Sequence, residues 1–186
     1  MFSNRKNQFL FAHSVKVILF TLAMALLIRF LFLSAYSIQT TAMAPNLTPG
    51  EFVLGWKTFV PRRGNVVILI CPGNESSMCV KRIVGIPGDR VEIVKQRLLI
   101  NDVPADYEKL PGEGGDLVLM ERWESLSWPI AIDSQTPVNM APSIVPPDHV
   151  FLLNDRRSDP VDSRQWGPIP TSRLEAQAWR IWMSID

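Results

Sequence analysis

Three stretches of this 186-residue chain carry the groups able to do chemistry. Val80-Lys81-Arg82-Ile83-Val84 sets a lysine inside an apolar run. Downstream, Phe151-Leu152-Leu153-Asn154-Asp155-Arg156-Arg157-Ser158-Asp159-Pro160-Val161-Asp162-Ser163-Arg164 gathers acids and arginines behind another such run. Upstream, Thr40-Thr41-Ala42-Met43-Ala44-Pro45-Asn46-Leu47 offers two adjacent hydroxyls. A lysine acts as a base only as a neutral amine, which requires burial away from water and other charges. The plainer reading of Lys81 is a snorkelling strand lysine with a carboxylate partner such as Asp155 or Asp162.

The elements that must position these groups begin with an apolar N-terminal segment. Length argues for one domain plus an appendage. The 47% hydrophobic content stands at the top of the ordinary globular range, and much of the excess lies in the first 36 residues. From Val15 to Tyr36 only Lys16 and Arg29 are charged. About 20 residues span the hydrocarbon core as a helix, so 15–36 reads as a transmembrane helix after a short tail, 1–14. Arg29, near the far end, can snorkel to the interface. Arg5, Lys6 and Lys16 precede or open the span, and the next cation after Arg29 is Lys57. The positive-inside rule then puts residues 1–14 in the cytoplasm and 37–186 outside it. A cleaved signal peptide is the alternative, with a weak site at Leu33-Ser34-Ala35, but its apolar region is usually shorter, about 7–15 residues.

The outer part reads as mainly β. Phe52–Trp56, Val66–Ile70, Cys79–Val84, Val91–Val94, Arg97–Ile100 and Val150–Leu153 are short apolar or alternating runs separated by Gly, Pro, Asn and Asp. Such spacing predicts a small β-barrel or sandwich. The fifteen prolines fall after residue 44, which suits strands and turns better than long helices. Residues from about 105 to 147, with Gly112, Gly114, Gly115 and six prolines, read as a loop-rich insertion. The run from Glu175 to Ile185 alternates as a strand would, though 174–178 could open a helix. Trp56, Trp123, Trp128, Trp166, Trp179 and Trp182 are core residues or, for some, anchors at a lipid interface. A net charge of +1 without a basic cluster argues against nucleic acid as a partner.

Cys71 and Cys79 both fall in the segment read as extracytoplasmic. A hairpin between the runs 66–70 and 80–86 would bring them together at its open end, so a disulfide is expected there, with two free buried thiols as the alternative. Closing so short a loop stabilises by roughly 2–3 kcal/mol in the entropic picture. Two thiols do not make a zinc site, and His13 and His149 are not spaced as ligands. Neither a metal nor a cofactor is expected.

Taken together, the boxes resemble the type I signal peptidases, membrane-bound Ser/Lys proteases that cut leader peptides from exported proteins. The resemblance covers most of residues 15–183. It implies a plasma-membrane protein with exported preproteins or their leader peptides as partners, lipid around the helix, and Lys81 as general base. It also implies Met43 and Pro45 beside the substrate and Thr40 at an oxyanion-hole position. Arg63-Gly64-Asn65-Val66 matches a strand entry, and Gly85, Pro87, Gly88 and Asp89 match a tight turn. Asp155, Arg157, Asp162, Ser163 and Arg164 match residues that support the site through ion pairs.

Three departures fall on the reaction centre. Ala42 stands where the family has its serine nucleophile, inside a Ser-Met-x-Pro motif. Pro160 stands where a hydroxyl orients the lysine, and Asn154 where the family has a glycine. A methyl group cannot attack a carbonyl, and proline cannot orient an amine. In an extended segment the side chain of Thr41 faces away from that of Ala42. Thr40 faces the same way but sits about 6–7 Å along the strand. Three readings follow. The first is a degenerate member that binds leader peptides without efficient cleavage. The second is an active peptidase with a threonine nucleophile, or an engineered inactive form of one. The third is a membrane-anchored β domain with no peptide groove.

Overall fold

The computed structural model describes residues 3–111, 116–133 and 138–183. Helix α1 spans Ser3–Phe32, and its stretch His13–Phe32 has a mean hydropathy of 2.3 with none of it buried against the rest of the chain. By length and composition that stretch is long and apolar enough to cross a membrane. The helix stops at Phe32, short of the expected limit at 36. Leu33–Ser37 turns instead into strand β1, which pairs antiparallel with β2, Phe52–Trp56. The stacking of Phe32 on Trp56, with ring centroids 5.7 Å apart, fixes the junction.

Twelve further strands follow in chain order. They are β3 Val66–Ile70, β4 Met78–Gly85, β5 Arg90–Val94, β6 Arg97–Ile100, β7 Val103–Pro104 and β8 Asp106–Lys109. Then come β9 Leu117–Trp123, β10 Leu126–Ile132, β11 Met140–Ile144, β12 His149–Leu153, β13 Ile169–Pro170 and β14 Leu174–Met183. A one-turn helix α2, Ser163–Trp166, precedes β13. The chain is mainly β with one apolar N-terminal helix. A seven-stranded sheet runs β1-β2-β14-β3-β4-β12-β13, a four-stranded sheet β11-β5-β6-β7 and a three-stranded sheet β10-β9-β8.

The loop-rich reading of 105–147 needs correcting. Leu117–Trp123 and Leu126–Ile132 form a hairpin, and β8 and β11 add to it and to the four-stranded sheet. Prolines misled that reading. Pro129 lies in β10, at the edge of its sheet, where a missing N–H costs little. Gly112, Gly114 and Gly115 lie outside the described residues. The C-terminal run is strand throughout Leu174–Met183, so no helix opens at 174.

Strands β4 and β12 are buried on both faces. Val84, Phe151 and Leu153 join a core with Val91, Ile93, Leu98, Ile100, Trp123, Trp128 and Ile130. Ile83, Val150 and Leu152 point to a second core with Val67, Leu69 and Ile169. This two-sided burial is why both strands read as unbroken apolar runs. Gly85 closes β4 where a Cβ would come within 2.7 Å of Val91 Cγ2 and 3.0 Å of the Phe151 Cβ, so only glycine lets the sheets approach.

Candidate active site

Lys81 lies in β4, opposite Val67 of β3, and is buried. Alternation along the strand puts it on the face of Cys79 and Ile83, away from Arg82. Its Nζ donates to Asn154 Oδ1 at 2.6 Å and sits 5.5 Å from the centre of the Trp166 ring. Burial pulls the amine below the ordinary lysine value, and Asp162 and Asp159 oppose that from a distance. Among the described residues no carboxylate forms an ion pair with it. The plainer reading therefore fails. Asp155 pairs with Arg82, and Asp162 pairs with Arg164.

Asn154 is held on every side. Its N–H donates to Asp162 Oδ2 at 2.9 Å and its carbonyl accepts from Arg157 Nε at 3.0 Å. Its Nδ2 donates to the carbonyls of Asp159 at 3.0 Å and Val161 at 3.4 Å. Asp162 is the hub of this loop. It caps α2 through Arg164 N and takes the Arg164 guanidinium at 2.8 and 2.7 Å. Ser163 Oγ accepts from Leu152 N at 3.0 Å, which ties the loop to β12. Pro160 is exposed at the loop's tip.

Behind the loop stand two buried ion pairs. Arg82 grips Asp155 through Nε and NH2, both at 2.7 Å, with its guanidinium 5.1 Å from the Trp128 ring centre. Burial pushes the Asp155 carboxyl up, while Arg82, Arg157 and Asn46 pull it back. Arg157 is held by Glu121, which is fully buried and also accepts from Trp128 Nε1 at 2.8 Å and Tyr107 OH at 2.6 Å. Burial and the Glu121 charge push the Tyr107 hydroxyl above its ordinary range.

Ala42 sits in a turn, not in an extended segment. Ala44 N bonds to Thr41 O, and Asn46 N and Leu47 N bond to Met43 O. The strand argument about which way Thr40 and Thr41 face does not apply. Ala42 and Met43 are buried, and Met43 joins Ile38, Leu47 and Val53 in a small core that Val80 flanks. Pro45, Thr40 and Thr41 are exposed. The Ala42 carbonyl accepts from Arg156 N at 2.9 Å, and Thr41 Oγ1 accepts from Arg156 NH1 at 3.2 Å. Asn46 Nδ2 reaches Asp155 Oδ2 at 2.6 Å and the Pro129 carbonyl at 2.7 Å. Residues 154–157 thus touch Lys81 through Asn154 and the Ala42 turn through Arg156 and Asp155.

Cys71 and Cys79 form a disulfide across the open end of the β3–β4 hairpin, with Cα atoms 5.2 Å apart. Cys79, like Trp166, packs against the core that includes Ile83.

The family model for signal peptidase, peptidase S26, matches residues 11–183. The chain belongs to the signal peptidase S26 family. It is 26% identical over 196 residues to signal peptidase I of Pseudomonas aeruginosa, covering 88% of this chain and 69% of that one. To signal peptidase IB of Staphylococcus aureus it is 27% identical over 175 residues, covering 87% and 86%. A crystal structure of a signal peptidase I from Enterococcus faecalis aligns at 21% identity with a TM-score of 0.43, over 65% of this chain and 98% of that one.

Sequence reasoning marked Asn154 as a departure and missed its contact with Lys81, across 73 positions of chain. It also missed Asn46, Glu121 and Arg156. Glu121 had one signal: an acid amid Leu117–Trp123, on the face of Leu119 and Trp123, needs a buried cation.

Proposed function

We propose that this S26 family member is a membrane-anchored protein that binds leader peptides of exported proteins and does not cut them efficiently. The observation that carries the reading is Ala42. It is buried in the turn, and the resemblance assigns it the place of the family's serine, which puts a methyl group where an oxygen would have to attack. The supporting frame is intact: Lys81 is buried, and the Arg82–Asp155 and Arg164–Asp162 pairs are formed. Such a frame with no nucleophile fits recognition better than turnover. The apolar stretch His13–Phe32 supports a single span, and the cation asymmetry supports a cytoplasmic N-terminus with the β domain outside. Pro45 is the residue proposed to meet the peptide, with Met43 packed beneath the turn to support it and Thr40 at the oxyanion-hole position.

A threonine nucleophile finds little support. The Thr41 hydroxyl is engaged by Arg156, a cation that cannot take its proton. Water attack with Lys81 as base would run roughly several orders of magnitude below the rate of an intact dyad. The test is a fluorescent leader peptide added to the full chain in detergent. Saturable binding with no cleavage above background is expected. Turnover comparable to that of an ordinary signal peptidase, lost in Thr41→Val, would replace this reading with the threonine one.

A further inference from the structure

We infer, resting on the reading of the site given above, that Asn154 is a positioning residue for Lys81 and replaces the orienting hydroxyl that Pro160 cannot supply. Lys81 Nζ and Asn154 Oδ1 are 2.6 Å apart and both side chains are buried. The direction of the Asn154 amide is fixed by chemistry. Its Nδ2 donates to the Asp159 and Val161 carbonyls, so a flipped amide would set oxygen against two oxygens and NH2 against the lysine amine. Its backbone is pinned by Asp162 and Arg157. The acceptor offered to Lys81 is therefore rigid. A neutral amine that gives one N–H to this oxygen keeps its lone pair for a proton from elsewhere. The other groups facing Lys81 are Asp159 and Asp162, Arg164, and the Trp166 ring. Arg82 and Asp155 lie on the opposite face of β4 and satisfy each other.

This reverses the expectation that Pro160 leaves the lysine unguided. Pro160 is exposed, and the orienting contact comes from six positions earlier in the chain. Base and orienter are then both present, and the nucleophile alone is missing. Ala42→Ser by itself is expected to convert a leader-binding protein into a leader-cutting one, because orientation is a large share of catalysis.

Two measurements on the full chain in detergent test the assignment. The first follows the pH dependence of acetic anhydride labelling at Lys81 by mass spectrometry, which needs no leader peptide. Asn154→Asp places a carboxylate against the amine and should move the labelling midpoint up by about one pH unit or more. Asn154→Leu keeps the size but removes the acceptor, and should move it down. A residue that merely holds the loop would shift both variants the same way or neither, and that result overturns the assignment. Should one variant not fold by circular dichroism, the direction given by the other decides. The second measurement compares Ala42→Ser with the unaltered chain. Leader cleavage rising at least about a hundredfold supports positioning by Asn154. Ala42→Ser that binds leader but does not cut it overturns the assignment even where the labelling shifts are seen. Absence of leader binding by the unaltered chain would count against the proposed function instead, while the labelling shifts still decide the role of Asn154.

Discussion

Glu121 shows how one buried charge organises this site. It accepts from both terminal nitrogens of Arg157, from Trp128 and from Tyr107, so its carboxylate has no vacant lone pair of consequence. Arg157 in turn donates to the Asn154 carbonyl and so sets the residue that holds Lys81. Removing the acid would strand a buried guanidinium. Glu121→Ala is expected to cost about 3–5 kcal/mol, the usual penalty for leaving one half of a buried pair. Glu121→Gln keeps the shape but also removes the charge and turns its NH2 toward an Arg157 N–H, so it should cost nearly as much. Urea unfolding of the full chain in detergent, followed by near-ultraviolet circular dichroism, measures both. Equal and small losses in the two variants would show that Arg157 finds other partners.

Among elements, the turn after β4 carries its own titration. Asp89 accepts from Ile86 N at 2.8 Å, Arg63 Nε at 2.7 Å and Asn101 Nδ2 at 3.0 Å. Burial pushes this carboxyl up, but the hydrogen bonds and the Arg63 charge outweigh it and hold it below its usual 3.8. A depressed carboxyl stabilises the fold above the unfolded-state value and loses that contribution as pH falls through its folded value. Asp89→Asn should therefore lower the melting temperature at pH 7 and lose less than the unaltered chain between pH 5 and about pH 2. Parallel slopes would assign acid sensitivity to other carboxylates. The same turn also shows what the sequence made legible. Val66–Ile70 and Arg97–Ile100 have the expected strand bounds because unbroken or alternating apolar runs leave no other way to bury them. The stretch from about 105 to 147 reads as loop because Gly and Pro signal turns without showing that Pro129 and Pro142 can lie in edge strands, β10 and β11. The 41–47 turn is closed by local bonds that an extended reading of the segment passed over, whereas the Asn154–Lys81 contact joins side chains 73 positions apart and no local pattern encodes it.

On the scale of the whole molecule, the helix and the β domain meet at an apolar face. Phe32 stacks on Trp56, which pairs across to Gln177 of β14. Beside it Trp179 is 65% exposed, with Ile181 and Met183 exposed further along the strand. Burying a tryptophan's apolar body while leaving its N–H wet is favourable only at a place that is oily on one side, and a membrane surface is such a place. With α1 spanning the bilayer, as proposed above, its end would lie near that surface, and Trp56 and Trp179 would be carried there with it. The expectation is that the β domain rests on the bilayer through this face. In proteoliposomes, lipids brominated near the headgroup should quench part of the tryptophan emission. Trp179→Phe should remove a share of the quenched signal, because phenylalanine keeps the apolar contact and lacks the indole. Trp123 and Trp128 are buried in the core and should stay unquenched. If Trp179→Phe leaves the quenched fraction unchanged, the domain stands clear of the lipid at this strand, and the exposed residues of β14 await a different partner.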